Sequence, residues 1–147
     1  HPGGNVAWTV DHDAVEATVQ EAFRRFEVVE MSADPPYWSQ QLNRWMEQYG
    51  DDVVIAFNTF VRKRMAAACS SFYQASSSEG LSHDGHPGLA RHIGNAVLKE
   101  TAQGAYITKE DKSSPRKIDA AIAAVIAYNR AAYHASQPEV DVGMEWL

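Results

Sequence analysis

The sequence holds a single cysteine, Cys69. That excludes an internal disulfide and a Cys-x-x-Cys zinc pattern, and it suits a reducing compartment. No apolar run reaches the roughly 18 residues that a membrane span needs. No basic-then-apolar leader opens the chain, so no membrane partner is expected. No GxxxxGK loop followed by Ser or Thr occurs, and no GxGxxG, which argues against ATP or dinucleotide binding by this segment. A GxSxG elbow and an HExxH helix are missing too, so neither a hydrolase triad nor a zincin site is signalled. A basic excess is also lacking. The formal net charge is -6, whereas domains whose main task is to hold nucleic acid usually carry positive charge.

What remains is ordinary for a globular chain. There are 147 residues, 45% hydrophobic and 22% charged. This is enough for one domain, or a large piece of one, to fold without disulfides or a structural metal. The first residue is His1 rather than Met, and a trimmed chain, a processed chain or a partial region of a longer protein is expected.

The hydropathy pattern predicts a series of short elements. His1 to Asn5 reads as a loop. Asp13 and Glu16 form a capping-box pattern, and Val15, Val19, Ala22, Phe23 and Phe26 repeat at helical spacing, so a helix is expected from Asp13 to Arg25. Glu27 to Ala33 reads as a buried strand ended by Asp34 and Pro35-Pro36. Trp38, Leu42, Trp45, Met46 and Tyr49 mark the apolar face of a helix that Gly50 closes. The aromatics on that face are expected in the core. Val53 to Phe57 reads as a second strand. A third helix is expected from near Thr59, with Val61, Met65, Ala68 and Phe72 on one side. After a turn-rich loop from Leu81 to Gly88, a short helix is expected over Leu89 to Asn95. Ala96 to Glu100 and Ala105 to Thr108 read as a hairpin across Gln103-Gly104. Ser113 or Ser114 is expected to cap a last helix running from Pro115 to His134. The acidic tail from Gln137 to Leu147 is expected to pack loosely, with Trp146 and Leu147 able to dock. Helices alternating with strands indicate an α/β domain. Two strands and a hairpin make a thin sheet, which residues before His1 would complete.

Two carboxylates stand out. Asp34 closes an apolar strand, where α/β folds place their sites. On spacing alone, a helix N-cap is the commoner use of such a residue. Asp119 lies early in the last helix among Ala120, Ala121, Ala123, Ala124 and Ala127, whose small side chains allow close approach to a sheet. Alone, it reads more simply as a complement to the helix dipole. Together the two acids suggest oxygen ligands for a hard cation, Mg²⁺ or Mn²⁺. Two such ions about 4 Å apart polarise a phosphate and activate water. That chemistry ordinarily draws on three or more carboxylates. His83, Asp84 and His86 lie in a Gly/Pro loop and read as a solvent-facing turn. Cys69, among alanines, reads as a small buried side chain. The basic clusters are Arg62-Lys63-Arg64 and Arg116-Lys117. Lys109, Lys112, Arg116 and Lys117 all precede Asp119 closely, so a DNA backbone approaching Asp119 would meet them.

The stretch His86 to Ala132, HPGLARHIGNAVLKETAQGAYITKEDKSSPRKIDAAIAAVIAYNRAA, resembles the C-terminal segment of phage terminase large subunits. The shared features are a His-Pro-x-Leu start, Asn-Ala-Val, a Lys before a polar loop, and Lys-Ile-Asp-Ala-Ala opening a small-residue helix. FEVVEMSADPPYW (Phe26 to Trp38), MAAACSSFYQA and LSHDGHP are also similar to that family. The resemblance extends over roughly Trp8 to Tyr133. It implies a ribonuclease H-like nuclease fold that cuts concatemeric DNA with two divalent cations, Mg²⁺ or Mn²⁺. By position, Asp34 corresponds to the second acidic ligand and Asp119 to the last. The first acid, on the first strand of the sheet, has no counterpart here. The expectation is therefore a partial nuclease domain over residues 1–136, lacking its first strands, followed by the tail at 137–147. Asn95, His83 and Lys109 match positions that recur in the family. The implied partners are double-stranded DNA, the portal protein, the small terminase subunit and the terminase ATPase domain. The implied location is the cytoplasm of the bacterial host. Two other readings compete. One is a non-catalytic prophage remnant or docking module with the same fold. The other is a zinc hydrolase using His83 and His86.

Overall fold

The computed structural model describes residues 10–36 and 38–138. Among them the order is α1 (His12–Arg25), β1 (Met31–Ala33), α2 (Ser39–Tyr49), β2 (Val54–Ala56), α3 (Arg62–Ser77), α4 (Pro87–Gly94), β3 (Val97–Thr101), β4 (Gly104–Thr108) and α5 (Asp119–Ser136). The α/β class holds. The loop expected at His1 to Asn5 and the docking of Trp146 and Leu147 lie outside the described residues.

The first half is a β-α-β unit. β1 and β2 pair in parallel, with Met31 opposite Val54 and Ala33 opposite Ala56. A parallel pair needs a crossover, and α2 supplies it. The apolar face of α2 closes on the strands as its period required. Leu42, Trp45 and Val54 are buried, and Val15, Val19, Phe23, Met31, Trp38, Met46 and Tyr49 pack around them. Phe23 stacks on Tyr49 at 3.7 Å between centroids. Gly50 ends α2 at φ 102, a backbone conformation that a side chain strains.

The second half is a separate antiparallel hairpin. β3 and β4 run from Val97 opposite Thr108 to Thr101 opposite Gly104, so Ala102 and Gln103 form the turn. Among the described residues the two strand pairs do not join into the one thin sheet expected. A second core lies where α3, β4 and α5 meet. It contains Phe57, Met65, Ala68, Cys69, Tyr106, Val125 and Ile126. Cys69 is buried as its alanine-rich setting suggested, and burial pushes its thiol pKa up.

Several expected boundaries move, each for a physical reason. Asp11, not Asp13, caps α1 by accepting from the Ala14 N–H at 3.0 Å. Glu16 is not the return half of a capping box. It accepts instead from Gln41 and from Trp45 Nε1, the latter at 2.8 Å, and ties α1 to α2. The indole hydrogen bond is the main reason its pKa is lowered. Phe26 lies beyond the helix and is 62% exposed. β1 covers only Met31–Ala33 of the longer strand expected, and it is half-buried rather than buried. α3 starts at Arg62 rather than near Thr59, because Thr59 is bound to Asp34. The last helix starts at Asp119, not Pro115, and neither serine caps it. Ser114 is buried and accepts from the Arg116 N–H in a turn of its own.

Candidate functional site

The β1 segment, the loop after β2, the start of α3, the hairpin and α5 line an open cleft of about 1740 Å³. Asp34 and Asp119 both line it. Asp34 arrives at the end of β1, and its carboxylate accepts from the Thr59 N–H at 3.2 Å and from the Thr59 hydroxyl. It is not the cap of α2, whose N-terminal residue makes no side-chain cap. It bridges β1 to the loop after β2, and this fixes the carboxylate in the cleft lining. Each carboxylate oxygen has two lone pairs, so both keep acceptor capacity.

Asp119 opens α5. Its carboxylate is exposed and has no hydrogen bond or ion pair among the described residues. The helix behind it is capped by an unexpected group, His92, whose Nδ1 accepts from the Ala120 N–H at 2.9 Å. His92 comes from α4, and no local pattern marks it. Asn95, at the end of the same helix, donates to the Lys117 carbonyl at 2.9 Å. α4 thus fixes the loop that leads into Asp119.

Lys109, Lys112 and Arg62 line the cleft beside the acids. Arg116 is turned toward Glu110 at 3.5 Å and lies outside the lining, as does Lys117. The cleft also receives Glu110 and Asp111. Asp111 accepts from Ser113, which lowers its pKa. His83 lies on the exposed loop away from the cleft. Its Nδ1 accepts from the Gly85 N–H, and the Nδ1 of His86 accepts from Gly88 as the cap of α4. Both rings therefore serve their own turn. Among the described residues, no group of three or more His, Cys, Asp or Glu comes close enough to hold a metal ion.

The cleft lining also holds a feature that sequence reasoning missed. Glu30, whose side chain is 6% exposed, faces Arg130 and His134 from α5. Arg130 Nε and Nη2 donate to its two oxygens at 2.7–3.0 Å, His134 Nε2 lies at 2.9 Å, and Ser32 donates at 2.6 Å. Burial alone would raise the Glu30 pKa. The hydrogen bonds from Arg130, Ser32 and His134, with the charge of Arg130, outweigh it and hold the carboxyl at about 2, against 4.5 unperturbed. A folded-state pKa below the unfolded one means stability that is fully present above pH 4.5 and is lost as pH falls through about 2. Acid unfolding across that window is expected to cost on the order of 3 kcal/mol in the parent. Glu30→Gln should flatten this slope, measured by urea unfolding at several pH values.

The family model for the terminase large subunit endonuclease domain matches residues 5–135, and the chain belongs to that family. Two relatives are the Gene 13 proteins of Mycobacterium phages D29 and L5. They are 33% and 32% identical over 129 residues, covering 81% of this chain and 22% of each relative. The chain thus spans about a fifth of the length of these curated relatives. No solved structure matches it. Among the described residues no helix is long and apolar enough to cross a membrane.

Proposed function

We propose that the cleft is the catalytic face of a metal-dependent DNA endonuclease with a ribonuclease H-like fold, serving phage DNA packaging. The observation that carries this reading is that Asp34 and Asp119, far apart in sequence, line one cleft together with Lys109 and Lys112. Both donors are carboxylate oxygens, the ligand type that Mg²⁺ and Mn²⁺ prefer. When bound, two such ions polarise a phosphodiester and generate the attacking hydroxide from water.

The residues have distinct tasks. Asp34, oriented by Thr59, and Asp119, fixed at the start of α5, hold the cations. Lys109 and Lys112 receive the DNA backbone as it enters. Arg116 and Lys117, which lie outside the lining, would contact the backbone only beyond the cleft. The full protein would act on concatemeric double-stranded DNA in the host cytoplasm. Its partners would be the portal, the small terminase subunit and the ATPase domain.

Nicking of supercoiled plasmid tests this. The parent sequence, in the longest protein that contains it, is expected to nick DNA with Mn²⁺ or Mg²⁺ and to stop when EDTA is added. Asp34→Asn should remove the activity. A folded protein that never nicks would sink the proposal and favour a non-catalytic docking module, and nicking that persists in EDTA would overturn the metal dependence.

A further inference from the structure

The Glu30 cluster has a geometric relation to the two acids. Strand side chains alternate, so Glu30, Ser32 and Asp34 fall on one side of the β1 segment. On α5, Asp119 and Arg130 are 11 residues apart, about three turns, and so share a face. All four acidic and basic groups line the same cleft. Glu30 and Asp34 are separated by about 13 Å along the strand. Asp119 and Arg130 are separated by about 16 Å along the helix. The result is a helix and a short extended segment, each with a carboxylate of the candidate site at one end and half of an ion pair at the other.

From this we infer that the Glu30–Arg130–His134 cluster is a positioning device that sets the separation of Asp34 and Asp119, resting on the metal-site reading above. Among the described residues it provides the hydrogen bonds that join the β1 segment to α5. A two-pronged guanidinium–carboxylate contact fixes orientation as well as distance, which a single point contact does not. Arg130 is held in turn by the Tyr133 ring, 4.2 Å from its guanidinium carbon. Ser32 fixes one Glu30 oxygen and His134 touches the other. Metal ligands tolerate errors of only a few tenths of an ångström, so a loosened pin at one end is felt at the other.

The test measures Mn²⁺ affinity directly by titration, beside the thermal midpoint, at a temperature where each protein is fully folded. Glu30→Gln and Arg130→Gln are expected to weaken Mn²⁺ binding at least about tenfold. Arg130→Lys, which keeps the charge and loses the fork, should fall between them and the parent. Val125→Ala, a destabilising change in the buried face of α5, should lower the midpoint and leave affinity unchanged. If Glu30→Gln melts earlier but binds Mn²⁺ like the parent, the cluster is merely structural and the inference is overturned. If Glu30→Gln does not fold, unchanged affinity in Arg130→Lys overturns it equally. A parent that binds no Mn²⁺ removes the metal-site reading itself, and this role of the cluster with it.

Discussion

Asp119→Ala is expected to reduce metal-dependent nicking on the order of 100-fold or more while leaving the fold in place. The two effects separate because of where Asp119 sits. Its carboxylate is exposed at the first residue of α5 and has no partner among the described residues. Its structural contribution is the favourable charge at a helix N-terminus, about 0.3–1 kcal/mol. The cap on the helix comes from His92 and stays. A ligand whose charge acts on the transition state contributes several kcal/mol, and each 1.36 kcal/mol is about tenfold in rate. Urea unfolding and plasmid nicking on the same preparation check both halves. A large stability loss, or undiminished nicking, would remove Asp119 from the site.

Phe57→Ala is expected to destabilise the protein by about 3–5 kcal/mol. Phe57 follows β2, is 0% exposed, and belongs to the core formed by Met65, Ala68, Tyr106, Val125 and Ile126. Its backbone N–H donates to the Ala33 carbonyl at 2.8 Å, so its ring ties the β1–β2 pair to the second core. Arg64 covers the ring at 4.0 Å. Alanine leaves a cavity at that junction and removes the ring that Arg64 rests on. Domains of this size are stable by about 5–15 kcal/mol in all, so the loss is a large fraction of the whole. A shift in the urea midpoint with an unchanged slope is the expected signature. A loss under about 1 kcal/mol would mean that the two halves are not joined through this side chain.

What could be read from the sequence divides along the range of the interactions. The face of α2 was legible because five apolar residues repeat at the helical period and the same residues pack together. The hairpin was legible from two short runs flanking Gln103-Gly104, although the turn falls one residue earlier, at Ala102-Gln103, with Gly104 as the first strand residue at φ 111. The β-α-β unit followed from two short apolar runs flanking that helix. Asp34 and Asp119 were singled out by spacing and resemblance, but spacing alone favoured a helix cap for Asp34. The structure gives it Thr59 as a partner instead, 25 residues away.

The missed features are long-range. Glu30 and Arg130 are 100 residues apart, and nothing local distinguishes Glu30 from a surface acid. The cap on α5 comes from His92, 28 residues before Ala120. A serine before a proline is the commoner start signal, and here it misled. Glu16 fitted a capping box by spacing. Trp45 and Gln41 captured it because α2 lies across α1. In each case a tertiary partner displaced a local one.

The central claim is that Asp34 and Asp119 share one divalent-cation site, and Mn²⁺ titration of the parent beside Asp34→Asn, Asp119→Asn and the double variant tests it most directly. The account predicts saturable binding by the parent, weakening of at least about tenfold in either single variant, and no further site in the double variant. Binding that is absent in a folded parent, or unchanged when both aspartates are replaced, would contradict it.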